Sequence, residues 1–311
     1  MTENFILRKS IGEEELLTLL PKAENIDYWL ALNPNSTISD QPFQSFSKLS
    51  AVKKEELDDY ALQLREEGYF QTSELIPTAT IQEMRSCIEN VKKAGFPPTF
   101  ALVYDVFYQA FSHFDSIFTG ILGANYKLIP NFWVYYIETN DDGKGFEPHR
   151  DAEYENTIGP DGMPTVITFW ITITEATPLN SCMYMLPANR DPQYADAIKN
   201  LKTKATQFAL EDIRALPTKA GTISCWNQYV FHWGSRSSKH AKSPRISYAA
   251  YCQRADIPPV DDKVIDIPSV LDFQTRLSLI CRGLYRYSYV NFEQSNQAST
   301  ILDFLKKHMA T

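Results

Sequence analysis

The feature that most constrains this chain is a change of texture at Asn131. From there to Gln253 the sequence breaks into short β-branched and aromatic runs separated by Gly, Pro and Asn, the pattern of many short strands. The runs are Phe132 to Glu138, Val166 to Thr174, Ser181 to Leu186, Gly221 to Trp226, Tyr229 to Trp233 and Arg245 to Gln253. Between Val166 and Thr174, one side carries Val, Thr, Trp, Thr and Thr while the other carries Ile, Phe, Ile and Ile. A strand with two such faces meets two different surroundings.

The flanks read as helix. Glu13 to Leu20 is acidic and apolar, and Lys53 to Glu67 repeats leucine at helical spacing among charges. Thr80 and Glu83 form a capping box that opens a helix over Ile81 to Lys93, stopping before Gly95 and Pro97. Phe100 to Leu122 supplies one or two more, and Ser269 to Arg282 and Ser299 to His308 return to helix. The expected fold is an all-β core over 131–255, a jelly roll or double-stranded β-helix, covered by a mainly helical segment at 1–130 and a helical extension at 256–311. These parts form one domain, because the helices read as cover for a single β core.

Composition narrows the function classes. With 44% hydrophobic and 22% charged residues the chain can bury a sizeable core, and a net charge of −8 argues against a general nucleic-acid binder. No run reaches the roughly 18 apolar residues of a membrane span. Met1 to Glu15 lacks the basic-then-apolar order of an export signal, so a cytoplasmic location is expected. Cys87, Cys182, Cys225, Cys252 and Cys281 are scattered without a C-x-x-C pair and are expected to be buried, not catalytic or zinc-binding. The expected partner is a small molecule; oligomeric state is left open.

Few residues can carry chemistry. His149-Arg150-Asp151 is an H-x-D in the loop after a strand, and residues i and i+2 of extended chain face one way, so an imidazole and a carboxylate there can share a cation. His232, at the end of a later strand, supplies a second imidazole. Two histidines and one carboxylate on one face of an octahedron leave three open positions, the arrangement of non-haem Fe(II) oxygenases. Arg245 opens the final strand, and its planar guanidinium suits bidentate capture of a carboxylate such as that of a 2-oxoacid. The blander readings are a surface hydrogen bond for His149 and Asp151, a core histidine for His232, a structural ion pair for Arg245 and a core side chain for Trp170.

Taken in order, these segments resemble the phytanoyl-CoA dioxygenase family of Fe(II)- and 2-oxoglutarate-dependent oxygenases. Gly68-Tyr69-Phe70 resembles the family's approach to its barrel, and Pro148-His149-Arg150-Asp151 with Tyr154 its metal-binding element. Val166 to Trp170, then Thr174 to Cys182 and Pro187, resembles the tryptophan strand and the turn that follows it. Lys219-Ala220-Gly221 through His232-Trp233-Gly234-Ser235 to Arg245 resembles the distal metal and cosubstrate element. The resemblance implies that His149, Asp151 and His232 hold Fe(II) and that Arg245 binds 2-oxoglutarate, beside Trp170, Ser235 and Tyr135. It further implies that O2 is the second cosubstrate, that succinate and CO2 are formed, and that a C–H bond is hydroxylated. Halogenases of the broad class put a small residue where this chain has Asp151, which favours hydroxylation. Arg150 and Arg236 are assigned to substrate, the latter from the basic run Arg236 to Lys242, which otherwise reads as a solvated hairpin. Two alternatives stand: a cupin-like metal enzyme of non-oxidative chemistry, such as an isomerase or epimerase, and a non-catalytic ligand-binding relative.

Overall fold

Alternation along the central strands decides the architecture. The computed structural model describes residues 13–41, 52–141, 143–201, 203, 207–266, 271–288 and 296–309. Its strands, all antiparallel, are β1 (Tyr69–Glu74), β2 (Lys127–Ile137), β3 (Val166–Thr172), β4 (Met183–Leu186), β5 (Arg214–Leu216), β6 (Thr222–Asn227), β7 (Phe231–Gly234), β8 (Arg245–Gln253) and β9 (Ile265–Asp266). The major sheet has the order β1-β6-β3-β8-β2-β9 and the minor sheet β5-β4-β7. Every residue of β3, β6 and β8 is buried, as strands covered on both faces must be.

One face of the major sheet meets helices. Ile167, Phe169 and Ile171 of β3, with Ile246, Tyr248 and Cys252 of β8, join the largest apolar cluster. There Phe169 contacts the rings of Phe111, Phe114, Phe118 and Tyr248. Each such buried side chain stabilises the fold by about 1.5–3 kcal/mol relative to exposure. The cover comprises α1 (Glu13–Ala23), α2 (Ile26–Leu32), α3 (Lys54–Glu66), α4 (Thr78–Lys93), α5 (Val106–Gln109) and α6 (Asp115–Leu122). A short α7 (Tyr194–Lys199) follows β4, and α8 (Phe273–Arg286) and α9 (Asn296–Met309) close the cover. A buried ion pair between Arg276 of α8 and Asp105, 2.5 Å, ties the late helix to the early ones.

The other face carries Thr168 and Trp170 of β3, Trp226 of β6 and Ala249 and Tyr251 of β8, and lines a cavity. Trp170, Trp226 and Ala249 pack there against Met183 and Met185 of the minor sheet.

Local departures from the sequence reading have physical causes. The Thr80–Glu83 capping box does not form: α4 begins at Thr78 behind Pro77, whose fixed φ of −56° starts the helix three residues early without a side-chain cap. Phe100 to Leu122 holds two short α-helices, α5 and α6, with 3-10 turns before and between them. The late helix starts at Phe273, capped by the Asp272 carboxylate on the Thr275 amide, and runs to Arg286; Ser269 lies outside the described residues. All five cysteines are buried and free of disulfides. Among the described residues no helix is long and apolar enough to cross a membrane.

Candidate metal centre

His232 is an inward residue of β7, where strand alternation packs Phe231 and Trp233 against Phe208 and Tyr184 on the opposite face. The segment leading to His149 runs antiparallel beside β7. Its hydrogen bonds include His149 N to His232 O at 3.0 Å and His232 N to His149 O at 2.9 Å. Residues that exchange both bonds face each other on one side of a ladder, so the two imidazoles emerge together, with ring centroids 4.3 Å apart. Close approach of the two backbones depends on Gly145 and Gly234, because a Cβ on either would run into the other's backbone.

Asp151 follows two residues after His149. Its Oδ1 lies 3.6 Å from the Nε2 of His149 and 3.6 Å from the Nε2 of His232. The donor atoms of all three residues lie within 4.8 Å of one another. Ligand atoms about 2.1 Å from a metal at right angles are about 3 Å apart, so small side-chain rotations close this set on one ion.

The surroundings fix each ligand's orientation. Nδ1 of His149 faces the Glu147 carbonyl at 2.5 Å, and Nδ1 of His232 faces that of Val230 at 3.0 Å. A carbonyl only accepts, so each Nδ1 carries the proton and each Nε2 presents its lone pair to the centre. Asp151 Oδ2 accepts from Trp226 Nε1 at 2.8 Å and from the Thr168 hydroxyl at 2.5 Å, which leaves Oδ1 toward the imidazoles. The next residue, Ala152, has φ +35° and donates its N–H to the Gln228 carbonyl at 2.9 Å. That left-handed turn costs a non-glycine residue about 1–2 kcal/mol, and it swings the chain so that Asp151 and Glu153 both line the cavity.

Burial opposes ionisation of Asp151, but the His232 and His149 rings and the Thr168 hydroxyl outweigh it and hold the carboxyl well below the usual carboxylate range. Burial, reinforced by His149, pushes His232 down to about 4. The site therefore presents a carboxylate and a neutral buried imidazole at neutral pH, the forms that bind metal.

Arg245 lies in the same cavity, of about 320 Å³. It is 2% exposed and donates from one terminal nitrogen to Ser247 Oγ at 2.9 Å. Its guanidinium sits 5.3 Å from the Tyr135 ring centroid and 5.4 Å from that of Trp170. Burial pulls it down to about 10, which leaves it charged at neutral pH. Among the described residues no carboxylate pairs with it, and its Nε and the Trp170 indole nitrogen are buried without hydrogen-bond partners. A buried, unpaired cation costs several kcal/mol, so this end of the cavity is built for an anion.

The structure thus gathers His149, Asp151, His232, Arg245, Trp170 and Tyr135 around one cavity. Ser235 and Arg236 do not line it: Ser235 follows β7, and Arg236 is exposed, as are Lys239 and Lys242 of the basic run. Arg150 borders the cavity, but its guanidinium is engaged in a 2.7 Å ion pair with buried Asp191 and donates to the Tyr229 carbonyl. It braces the loop rather than offering charge to a ligand. Sequence reasoning missed Trp226 and Thr168, although both sit at inward positions of their strands. It also missed Glu153 and Tyr287, which the fold brings together from distant segments.

Residues 103–243 match the family described as Phytanoyl-CoA dioxygenase (PhyH). That segment is phytanoyl-CoA dioxygenase-like. No curated protein matches the chain. Among solved structures, the chain is similar to the nickel complex of the non-heme monooxygenase ThoJ. The identity is 14% and the TM-score 0.54, over 78% of this chain and 100% of that one. Apo ThoJ gives 13% and 0.51, over 81% and 99%. The epimerase SnoN in complex with Fe3+, alpha ketoglutarate and nogalamycin RO gives 14% and 0.50, over 69% and 96%. At these identities the likeness is one of fold.

Proposed function

We propose that the protein is an Fe(II)- and 2-oxoglutarate-dependent oxygenase that hydroxylates an unactivated C–H bond of a small molecule, with succinate and CO2 as co-products. The observation that carries this reading is one cavity holding both a His-Asp-His set and a buried guanidinium without a carboxylate partner. The family match supports it, as do the metal- and ketoglutarate-bound complexes of fold relatives. In this reading the two sheets are the halves of a double-stranded β-helix and residues 1–311 act as one domain, helices at 1–130 and 256–311 covering the core at 131–255.

The residues present fit these groups. His149, Asp151 and His232 would hold the metal, two neutral nitrogens and one anionic oxygen on one face. Arg245 would bind the distal carboxylate of 2-oxoglutarate, with Trp170 and Tyr135 flanking it. Bound iron with 2-oxoglutarate and O2 supplies the oxidising power for C–H cleavage. The chain fixes ligand orientation through the Glu147 and Val230 carbonyls, Trp226 and Thr168, and excludes water with the aromatic walls of the cavity. Asp151 would supply an oxygen ligand to the metal, which favours hydroxylation over capture of an external halide.

The test is anaerobic titration of the protein with Fe(II) and 2-oxoglutarate, then exposure to O2 with succinate quantified. Parent protein is expected to consume 2-oxoglutarate, and Arg245→Ala to bind it about two orders of magnitude more weakly, the loss of a bidentate charged contact. Undiminished 2-oxoglutarate affinity in Arg245→Ala would contradict the assignment. Mass spectrometry of substrate screens then shows addition of one oxygen for hydroxylation, and isomeric products for epimerisation.

A further inference from the structure

Resting on the oxygenase reading, we infer that the wall of the cavity made by Glu153, Tyr287 and Trp133 is the subsite for the primary substrate, and that it recognises a ring-bearing molecule through a hydrogen-bond donor, a hydroxyl or an amine, rather than through a carboxylate or phosphate.

Strand register arranges the cavity in layers. Tyr135 of β2 pairs with Ser247, and Trp133 pairs with Ala249, which pairs in turn with Trp170. The next layer joins Tyr251 to Thr168 and Thr168 to Trp226. Arg245 marks one end, beside Tyr135, and Asp151 meets the Thr168–Trp226 layer. Farther along β2 on the same face, Asn131 donates to Glu153 Oε2 at 3.0 Å. The cavity therefore runs from a cationic end, past the metal ligands, to an end carrying the half-buried carboxyl group of Glu153.

Glu153 is held from three directions. The Tyr287 hydroxyl donates to Oε1 at 2.5 Å, while Oε2 accepts from Asn131 and, at 3.1 Å, from Arg286. Arg286 stands behind the wall and also donates to Asp261 at 2.8 Å, so its charge is spent there. The Trp133 indole bonds to the Tyr287 oxygen, with ring centroids 4.2 Å apart. The donors of this wall are thus committed to protein acceptors, while Glu153 lines the cavity and its Oε1, which accepts from Tyr287, has capacity for a second donor. A hydroxyl or amine supplies that donor; a carboxylate brings only acceptors to it. Trp133 and Phe146, 5.9 Å apart at 71°, offer a face and an edge for a ring. Arg150 is paired with Asp191, so Arg245 alone among the lining cations awaits an anion, and the cosubstrate takes it.

The wall depends on α8, because Arg286 ends that helix and Tyr287 caps it. This segment lies beyond the family match and so is free to set specificity.

The test uses the full chain, loaded anaerobically with Fe(II) and 2-oxoglutarate, and a panel of bicyclic alcohols, each matched with the amine and the carboxylate of the same ring. Dissociation constants come from calorimetry and from quenching of tryptophan fluorescence. Alcohols or amines are expected to bind at least about tenfold more tightly than carboxylates, and the first two arms distinguish which donor is preferred. Tyr287→Phe and Glu153→Gln are each expected to reduce that preference about tenfold while 2-oxoglutarate affinity stays within about twofold. Carboxylates binding as tightly as the donors, or no binding by any alcohol or amine, overturns the inference; the parent-protein comparison needs no variant to fold. Failure of the oxygenase reading shows separately, as 2-oxoglutarate affinity unaffected by Arg245→Ala.

Discussion

Replacing Trp226 by Phe removes one hydrogen bond from the metal site and little else. The indole N–H donates to Asp151 Oδ2 at 2.8 Å; Trp226 is buried and the Asp151 side chain is 8% exposed. Hydrogen bonds to charged groups contribute about 1.5–3 kcal/mol. Thr168 still donates to the same oxygen, which puts this loss near the lower bound, about 1.5–2 kcal/mol. In binding that is about 10–30-fold, within the range seen when outer hydrogen bonds to metal ligands are removed. Phenylalanine keeps an aromatic ring against His232, whose ring centroid is 4.8 Å from that of Trp226, so the fold should persist. The assay is anaerobic calorimetry with Mn(II) as a redox-inert probe, with circular dichroism to verify folding. Because Trp226 and Thr168 share one acceptor oxygen, a Trp226→Phe/Thr168→Val double variant should lose more than the sum of the single losses. A folded Trp226→Phe protein with parental Mn(II) affinity would refute the claim that this indole orients the carboxylate.

Ala152→Val should lower Tm and weaken Mn(II) binding, because a β-branched residue at φ +35° strains the turn that presents Asp151, whereas Ala152→Gly should retain both; thermal melts and calorimetry check this. In metal-free protein, burial holds His232 down at about 4 against about 6.5 unfolded, so between those values the unfolded chain takes up a proton that the folded chain refuses. This group's contribution to stability is therefore complete above about pH 6.5 and falls as pH drops toward 4, and His232→Gln should flatten that fall in Tm-against-pH profiles. Neutralising Arg236, Lys239 and Lys242 together should leave 2-oxoglutarate affinity and its salt dependence unchanged, since all three are exposed and outside the cavity lining; a changed salt slope in calorimetry would restore the basic run as a guide for anions.

How legible the site was depended on whether its residues announce themselves locally. His149 and Asp151 did so by i, i+2 spacing, and His232 and Arg245 by their places on strands, so the residues that the fold gathers around the cavity could be read from the chain. Trp226 and Thr168 left a weaker trace: each is inward by alternation, yet a buried tryptophan or threonine is usually packing, and only the 2.8 and 2.5 Å contacts to Asp151 distinguish them. Glu153 and Tyr287 were illegible because their encounter depends on how α8 docks, and no local pattern encodes that. Arg150 misled for the same reason, since Asp191, its partner, is remote in sequence. At the level of elements, the β-branched and aromatic runs located β3, β6 and β8 closely and β2 from Phe132 onward, while β1 and β9 at the sheet edges were not anticipated. The Thr80–Glu83 box matched a pattern that Pro77 pre-empted.

The central claim is that one cavity binds metal through His149, Asp151 and His232 and a keto acid through metal and Arg245 together. Anaerobic addition of Fe(II) and then 2-oxoglutarate, followed by visible absorption, tests it most directly. The account predicts a charge-transfer band that appears only with both components, is lost in Asp151→Ala, and needs much higher 2-oxoglutarate in Arg245→Ala. A band of undiminished intensity in Asp151→Ala, or its absence from the parent protein at saturating Fe(II) and 2-oxoglutarate, would contradict it.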